Sequence, residues 1–183
     1  AAEKQGTSLL IEKAGVDIWY DTRLCNALTE EGRLTHVIVE NKSGRVALAA
    51  RTFVDATGDA DLCYLAGEAT FSSDENRRSG WYFSADDTGS PRLHQLTDPL
   101  NAPCPPGSRF YAGDSGSEVS AYVRAMHDMI LNHAAKQEGS IPFLIPTLPL
   151  FRMTRRLSGR ETLTRDDLGL WREDAVAMTG DWR

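Results

Sequence analysis

The chain is organised around one stretch, Thr52-Phe53-Val54-Asp55-Ala56-Thr57-Gly58-Asp59-Ala60-Asp61, which runs directly into the apolar residues 62–66. β-branched and aromatic residues lead into a small Ala-Thr-Gly segment, and this pattern predicts a strand, a tight turn and the start of a helix. Gly58 removes a Cβ at the bend, and a following aspartate can cap the helix. The N–H groups at a helix start attract anions, so the stretch predicts a ligand-binding turn.

Two other interpretations of this turn stay open from the residues alone. A glycine turn followed by a capping aspartate is common in proteins and needs no ligand. The aspartates 55, 59 and 61 could instead hold a cation. Their spacing does not fit the calcium loop D-x-[DN]-x-[DN]-G, and no glutamate stands at its twelfth position. We therefore expect no metal at the turn.

Composition limits the class of protein. With 183 residues, of which 41% are hydrophobic, the chain can bury a core and form one domain or two small ones. A net charge of −6 argues against a nucleic-acid partner, because phosphate binding needs a basic surface. The 3 cysteines are odd in number and far apart, which predicts no disulfide framework and fits a reducing cytoplasm.

The ends and the apolar runs of the sequence also carry information. The longest apolar region, residues 141–151, is broken by prolines 142, 146 and 149, so we expect no membrane span. The chain starts without methionine and without a basic segment followed by an apolar one. We therefore expect a piece of a longer cytoplasmic protein.

The first part of the chain predicts a helix followed by a small sheet. Apolar residues at helical spacing in 3–14, ended by Gly15, predict the helix, and residues 16–20 predict a short strand. Two glycine-containing turns then separate three strand-like runs, residues 22–29, 34–40 and 45–50. Such runs predict an antiparallel meander, which must cover one face with a neighbour.

The rest of the chain predicts a second region. Residues 69–116 are irregular, with short strands predicted at 80–84 and 109–112. In residues 117–137 apolar side chains recur every three or four positions behind the capping box Ser115-x-x-Glu118, which predicts a long amphipathic helix. The predicted fold class is α+β, with the meander and strand-turn-helix in residues 1–67 and a β-rich region with one long helix in 68–183.

Four arginines fall within nine residues near the C-terminal end, at positions 152, 155, 156 and 160. Surface arginines paired with the acidic excess are one explanation. The other is an anion clamp, since guanidinium groups bind carboxylates through two parallel hydrogen bonds.

Residues 54–61 with Leu65-Ala66-Gly67 resemble the ATG segment of FAD-dependent oxidoreductases of the two-dinucleotide-binding-fold type, in particular the bacterial group of that name. The likeness extends upstream to residues 14–18 and downstream to residues 152–160 and 163–167. In that family a meander precedes the ATG strand, which re-enters the nucleotide-binding sheet. The resemblance therefore implies that residues 1–67 are a partial FAD-binding region and residues 68–183 a substrate lobe.

The resemblance also implies a function for particular residues. The backbone of the turn would border FAD at Ala56, Thr57, Gly58 and Asp59. A small anionic substrate would be oriented by Arg152, Arg155 and Arg156, while the catalytic acid or base stays unidentified. The chain contains no G-x-G-x-x-G for the FAD pyrophosphate. We therefore expect an internal fragment that alone neither holds FAD firmly nor turns over substrate, and whose partners are that substrate and the remaining parent polypeptide.

A non-catalytic module that binds carbohydrate or a protein is the alternative. Aromatic side chains could supply its stacking surface, namely Trp81, Tyr82, Phe83 and Tyr111. Buried aromatic residues would explain the same sequence equally well.

Overall fold

The computed structural model describes residues 11, 13–99, 102–151, 154–162, 164–167 and 169–170. The chain divides into two compact units, Ala1–Glu68 and Ala69–Arg183. Their described residues form antiparallel sheets with two α-helices, of which one is long. The predicted α+β class is confirmed.

The first unit is built on an antiparallel meander. Its strands are β1 (Arg23–Glu30), β2 (Arg33–Asn41) and β3 (Gly44–Ala49), in that spatial order. Between β1 and β2 the chain turns in two residues with positive φ, Glu31 at 50° and Gly32 at 74°, which match the right-handed twist of a tight hairpin. The short helix α1 (Asp61–Leu65) packs against β1. The meander predicted from the sequence is therefore present.

Two strands predicted for this unit are absent from its described residues. Neither residues 16–20 nor residues 52–55 form a strand. The side chain of Val54 is 83% exposed. A strand requires hydrogen bonds to a neighbouring strand, and no described residue supplies them here. For the predicted helix 3–14, only Ile11 and Lys13 are described as helical, and residues 1–10 lie outside the described part.

The second unit contains two small sheets and the long helix. Strand β4 (Thr70–Ser72) pairs with β8 (Arg155–Leu157). The other sheet has the order β6-β5-β7, made of β6 (Pro91–Thr97), β5 (Ser79–Ala85) and β7 (Ile141–Leu144). Helix α2 (Gly116–Ala134) packs against β5. A short 3₁₀ turn, Arg165–Asp167, follows β8.

The core of this unit lies between α2 and β5. Its fully buried side chains come from both elements: Tyr82, Tyr122, Met126 and Ile130, with Tyr111 beside them. Gly80 allows the close approach, since a Cβ there would lie 2.7 Å from Cγ of Met126. The hydroxyl of Tyr122 donates to the carbonyl of Ser79 at 3.0 Å and accepts from its N–H at 3.2 Å. Helix and sheet are thus joined by packing and by hydrogen bonds.

The sequence reading of this unit was partly wrong. Residues 109–112 contribute only an isolated bridge, between Tyr111 and Asn76, in place of a strand. Strands β4 and β6 were not predicted. In β6 the inward positions are His94 and Leu96, so its apolar alternation is weak.

Candidate functional site

The turn after residue 55 is held by side chains of its own sequence. Oδ1 of Asp55 accepts hydrogen bonds from the N–H of Thr57 at 3.0 Å and from its hydroxyl at 2.7 Å. Oδ2 of Asp55 accepts from the N–H of Cys63 at 3.1 Å, and Oγ1 of Thr57 accepts from the N–H of Asp61 at 3.0 Å. Two N–H groups at the start of α1 are therefore bonded within the protein.

The predicted capping by an aspartate after the glycine is wrong. The N-cap residue is Ala60, in the left-handed region at φ 52°, and its side chain makes no capping hydrogen bond. Asp55, before the turn, takes that role. Partial burial raises the pKa of Asp55, but the hydrogen bonds from Thr57 and Cys63 outweigh it and hold the pKa below its usual value. The carboxylate of Asp55 therefore occupies the position at which the sequence predicts an external anion.

The four residues predicted to border FAD form the exposed rim of this turn. Ala56, Thr57 and Gly58 are exposed, and Asp59 is half-buried. Gly58 has φ of 87°, and a Cβ built there meets no atom within 4 Å. The space beside Gly58 is therefore open. A diphosphate is a poor fit, because Asp55 already bonds the N–H groups of Thr57 and Cys63, Thr57 bonds that of Asp61, and the carboxylates of the turn add negative charge.

Neither a reactive thiol nor a metal site accompanies the turn. Burial, followed by the neighbouring carboxylate of Asp55, raises the pKa of the Cys63 thiol, which disfavours the nucleophilic thiolate. Among the residues that the structure describes, no group of three histidine, cysteine or acidic side chains is arranged to hold a metal ion.

Two of the three predicted substrate-binding arginines are described, and they are neighbours on β8. Arg155 is opposite Ser72 and Arg156 opposite Phe71, so their side chains leave opposite faces of the strand. Nη2 of Arg155 donates to the carbonyl of Asp114 at 3.1 Å. The guanidinium of Arg156 is exposed and stacks over the ring of Phe71 at 4.9 Å. Arg152 lies outside the described residues.

The four aromatic side chains considered for a binding module have different surroundings. Tyr82 and Tyr111 are buried in the core, at 0% and 4% exposure, and are not available for stacking on a ligand. Trp81 and Phe83 are half-buried on the other face of β5 and contact each other edge to face at 5.9 Å between ring centroids.

A buried polar cluster that the sequence analysis did not anticipate lies under α2. Nε2 of His94 is 2.8 Å from Oγ of Ser84, which accepts from Oγ of Ser140 at 2.6 Å. The His94 ring stacks on Tyr82 at 4.4 Å, and the Tyr82 hydroxyl meets Nδ1 of His133 at 2.9 Å. With Ser84 only 1% exposed, no substrate reaches its hydroxyl, so the cluster is structural. The sequence feature that could have revealed this cluster is His94, a histidine at an inward-facing position of β6.

The sequence signal for Asp55 was available. Asp-x-Thr recurs at Asp86-Asp87-Thr88, and there too Oδ1 of the aspartate accepts from the threonine N–H, at 2.9 Å. An aspartate two residues before a threonine is typical of this local turn.

Comparison with known protein families decides the assignment. Residues 2–143 match the family described as FAD dependent oxidoreductase. The chain belongs to that family. The matched part contains the meander, the turn at residues 55–59 and the second unit as far as β7. The turn therefore lies within the part of the chain that matches the FAD oxidoreductase family. The match ends before β8, which leaves the arginines 155 and 156 outside it. No curated protein and no solved structure matches the chain.

Within the described part of the chain, no helix has both the length and the apolar character needed to cross a bilayer.

Proposed function

We propose that the chain is an interior part of a cytoplasmic flavin-dependent oxidoreductase that acts on a small anionic organic molecule. Family membership supports the redox chemistry. The observation that carries the proposal is the exposed rim at residues 56–59, held in shape by Asp55. The bound flavin supplies a ring that accepts or delivers a hydride.

The charge of the turn indicates which part of FAD the rim would take. Asp55 already bonds two of the groups that a phosphate would use, and Asp59 repels it. The exposed residues Ala56 and Gly58 offer backbone groups and little side chain, whereas the N–H of Thr57 is already bonded to Asp55. The rim therefore suits the uncharged ring or ribityl part of the cofactor, and the pyrophosphate belongs to other parts of the parent protein. Alone, the chain holds FAD weakly and is inactive.

For the substrate, Arg156 is the better placed of the described arginines. Its guanidinium is exposed, stacks on Phe71 and donates through Nη1 to Oγ1 of Thr162 at 3.3 Å. A stacked guanidinium keeps its N–H edge for a carboxylate. Arg155, bonded to the Asp114 carbonyl, would steady the strand, and Arg152 would join them at the start of the segment.

Flavin binding by the parent protein tests the proposal. The longer natural polypeptide should retain FAD and lose the visible flavin absorbance when an anionic substrate reduces it without oxygen. The chain alone should form no stoichiometric yellow complex. Gly58→Val in the parent should weaken FAD retention more than Gly32→Val, because both glycines have positive φ and open space but only Gly58 lies on the rim. Equal effects of both variants, or a parent without flavin affinity, would contradict the proposal.

A further inference from the structure

Two neighbouring arginines before β5 carry unused hydrogen-bond donors. Among the described residues, the buried side-chain nitrogens or oxygens that lack a hydrogen-bond partner are Nη1 of Arg77 and Nε of Arg78. Native structures pair nearly all such atoms, so each exception needs a physical explanation, such as an absent ion or ligand. A buried charged donor without an acceptor is also costly for the fold.

Of these two arginines, only Arg78 forms an ion pair with a described carboxylate. Nη2 of Arg78 is 3.0 Å from Oδ1 of Asp98, and both side chains are mostly buried. The other carboxylate oxygen of Asp98 accepts from the hydroxyl of Ser108. One carboxylate thus serves Arg78, and none of the ion pairs between described residues includes Arg77. Within the described part of the chain, the positive charge of Arg77 therefore has no ion-pair partner.

The side chain of Arg77 has the geometry of a prepared anion ligand. Its guanidinium carbon lies 4.6 Å from the ring centroid of Phe110, so the ring covers one face of the group. Phe110 is 41% exposed, and the stack therefore borders solvent. Stacking holds the planar group still, and its Nη1 is closed to solvent and has no acceptor. The N–H edge of a guanidinium matches the two oxygens of a carboxylate.

We propose that Arg77 is a carboxylate-binding site in the second unit. The site rests on the proposed function in one respect: the carboxylate would belong to the anionic substrate. It is a different site from the arginines of β8. Inorganic phosphate offers similar oxygens, and the experiment must separate the two.

Anion-dependent thermal unfolding of the chain, without FAD, tests the site. Succinate and phosphate are each added at constant ionic strength set with chloride. A ligand that binds the folded state raises the melting temperature in a saturable way. In the wild-type chain we expect succinate to do so, and Arg77→Met should abolish the shift while keeping an unbranched side chain against Phe110. Arg45→Met, which removes an exposed arginine paired with Glu40, should leave the shift unchanged.

A second measurement does not depend on a variant that folds. The side-chain N–H resonances of arginine, followed by NMR in the wild-type chain, should move for Arg77 when succinate is added, and less for Arg45. No saturable shift with succinate, an equal shift in Arg77→Met, or a response to phosphate alone would each overturn the site. Because no flavin is present, a parent protein that fails to bind FAD would leave a positive result here intact, and only the proposed function would fall.

Discussion

The carboxylate of Asp55 accepts a hydrogen bond from the backbone N–H of Cys63, eight residues further along, at 3.1 Å. This bond closes the exposed turn of residues 56–59 onto the start of α1. It also places a negative charge where a helix would otherwise attract an external anion. The shape of the turn depends on this side chain, and so does our proposal that the turn takes an uncharged part of the cofactor.

Asp55→Ala should destabilise the first unit by about 1–2 kcal/mol, since it removes hydrogen bonds to the backbone N–H groups of Thr57 and Cys63. Asp17→Ala, at an exposed position of the same unit, should change the free energy of unfolding by less than about 0.5 kcal/mol. Urea unfolding followed by circular dichroism measures both. Similar losses in the two variants would show that the bonds of Asp55 add nothing.

The same carboxylate makes the stability of the turn depend on pH in the acid range. Its pKa is lower in the folded chain than in the unfolded one, so its contribution is complete above the unfolded value of about 3.9. The contribution is lost as the pH falls through the lower, folded pKa. In Asp55→Asn the difference from wild type should therefore shrink as the pH is lowered below that value, which pH-dependent unfolding curves would reveal.

Gly80→Ala should destabilise the second unit by about 1–3 kcal/mol, because the added Cβ would lie 2.7 Å from Cγ of Met126 and 3.1 Å from Cδ1 of Ile130. Gly116→Ala, in the first turn of α2, meets no atom within 4 Å and should be neutral or stabilise by up to about 1 kcal/mol. Melting temperatures of the two variants give the comparison. A Gly80→Ala chain as stable as wild type would mean that α2 shifts freely on the sheet.

Acid should also loosen the second unit through His94. Burial, then the charge of Arg92 and the neighbouring His133, lower the pKa of His94 in the folded chain. The unfolded chain, with a histidine pKa near about 6.5, therefore binds more protons than the folded one below that pH. The contribution of neutral His94 to the free energy of unfolding is complete above about pH 6.5. It is lost as the pH falls through the lower pKa of the folded chain.

Melting temperatures between about pH 7 and 5 measure this slope, and NMR titration of the histidine ring protons measures the pKa of His94 itself. His94→Gln should flatten the slope, whereas His36→Gln, on the meander of the first unit, should retain it. An unchanged slope in His94→Gln would assign the acid sensitivity to other groups.

Local patterns explain which elements could be predicted. The apolar spacing from Val119 to Ile130 and the serine before it are properties of a single helix, and α2 with Ser115 as its N-cap is found in the structure. Glycine-containing turns likewise predicted the meander. Strand β6 was not predicted because its buried face contains the polar residue His94, whose hydrogen-bond partner Ser84 lies on another strand. Residues 52–55 were predicted to form a strand, but no described residue pairs with them.

By itself the amino-acid sequence determined the α+β class, the long helix, the position of the exposed turn and, through the residues around it, the likeness to flavin oxidoreductases. Only the tertiary structure decided that Asp55 caps α1, that β8 pairs with β4, and that Arg77 lies on Phe110 with a donor unused. The reason is physical. Helices and turns depend on interactions within a few residues, whereas the partner of a buried charge or of a strand is chosen by contacts between residues far apart in the chain.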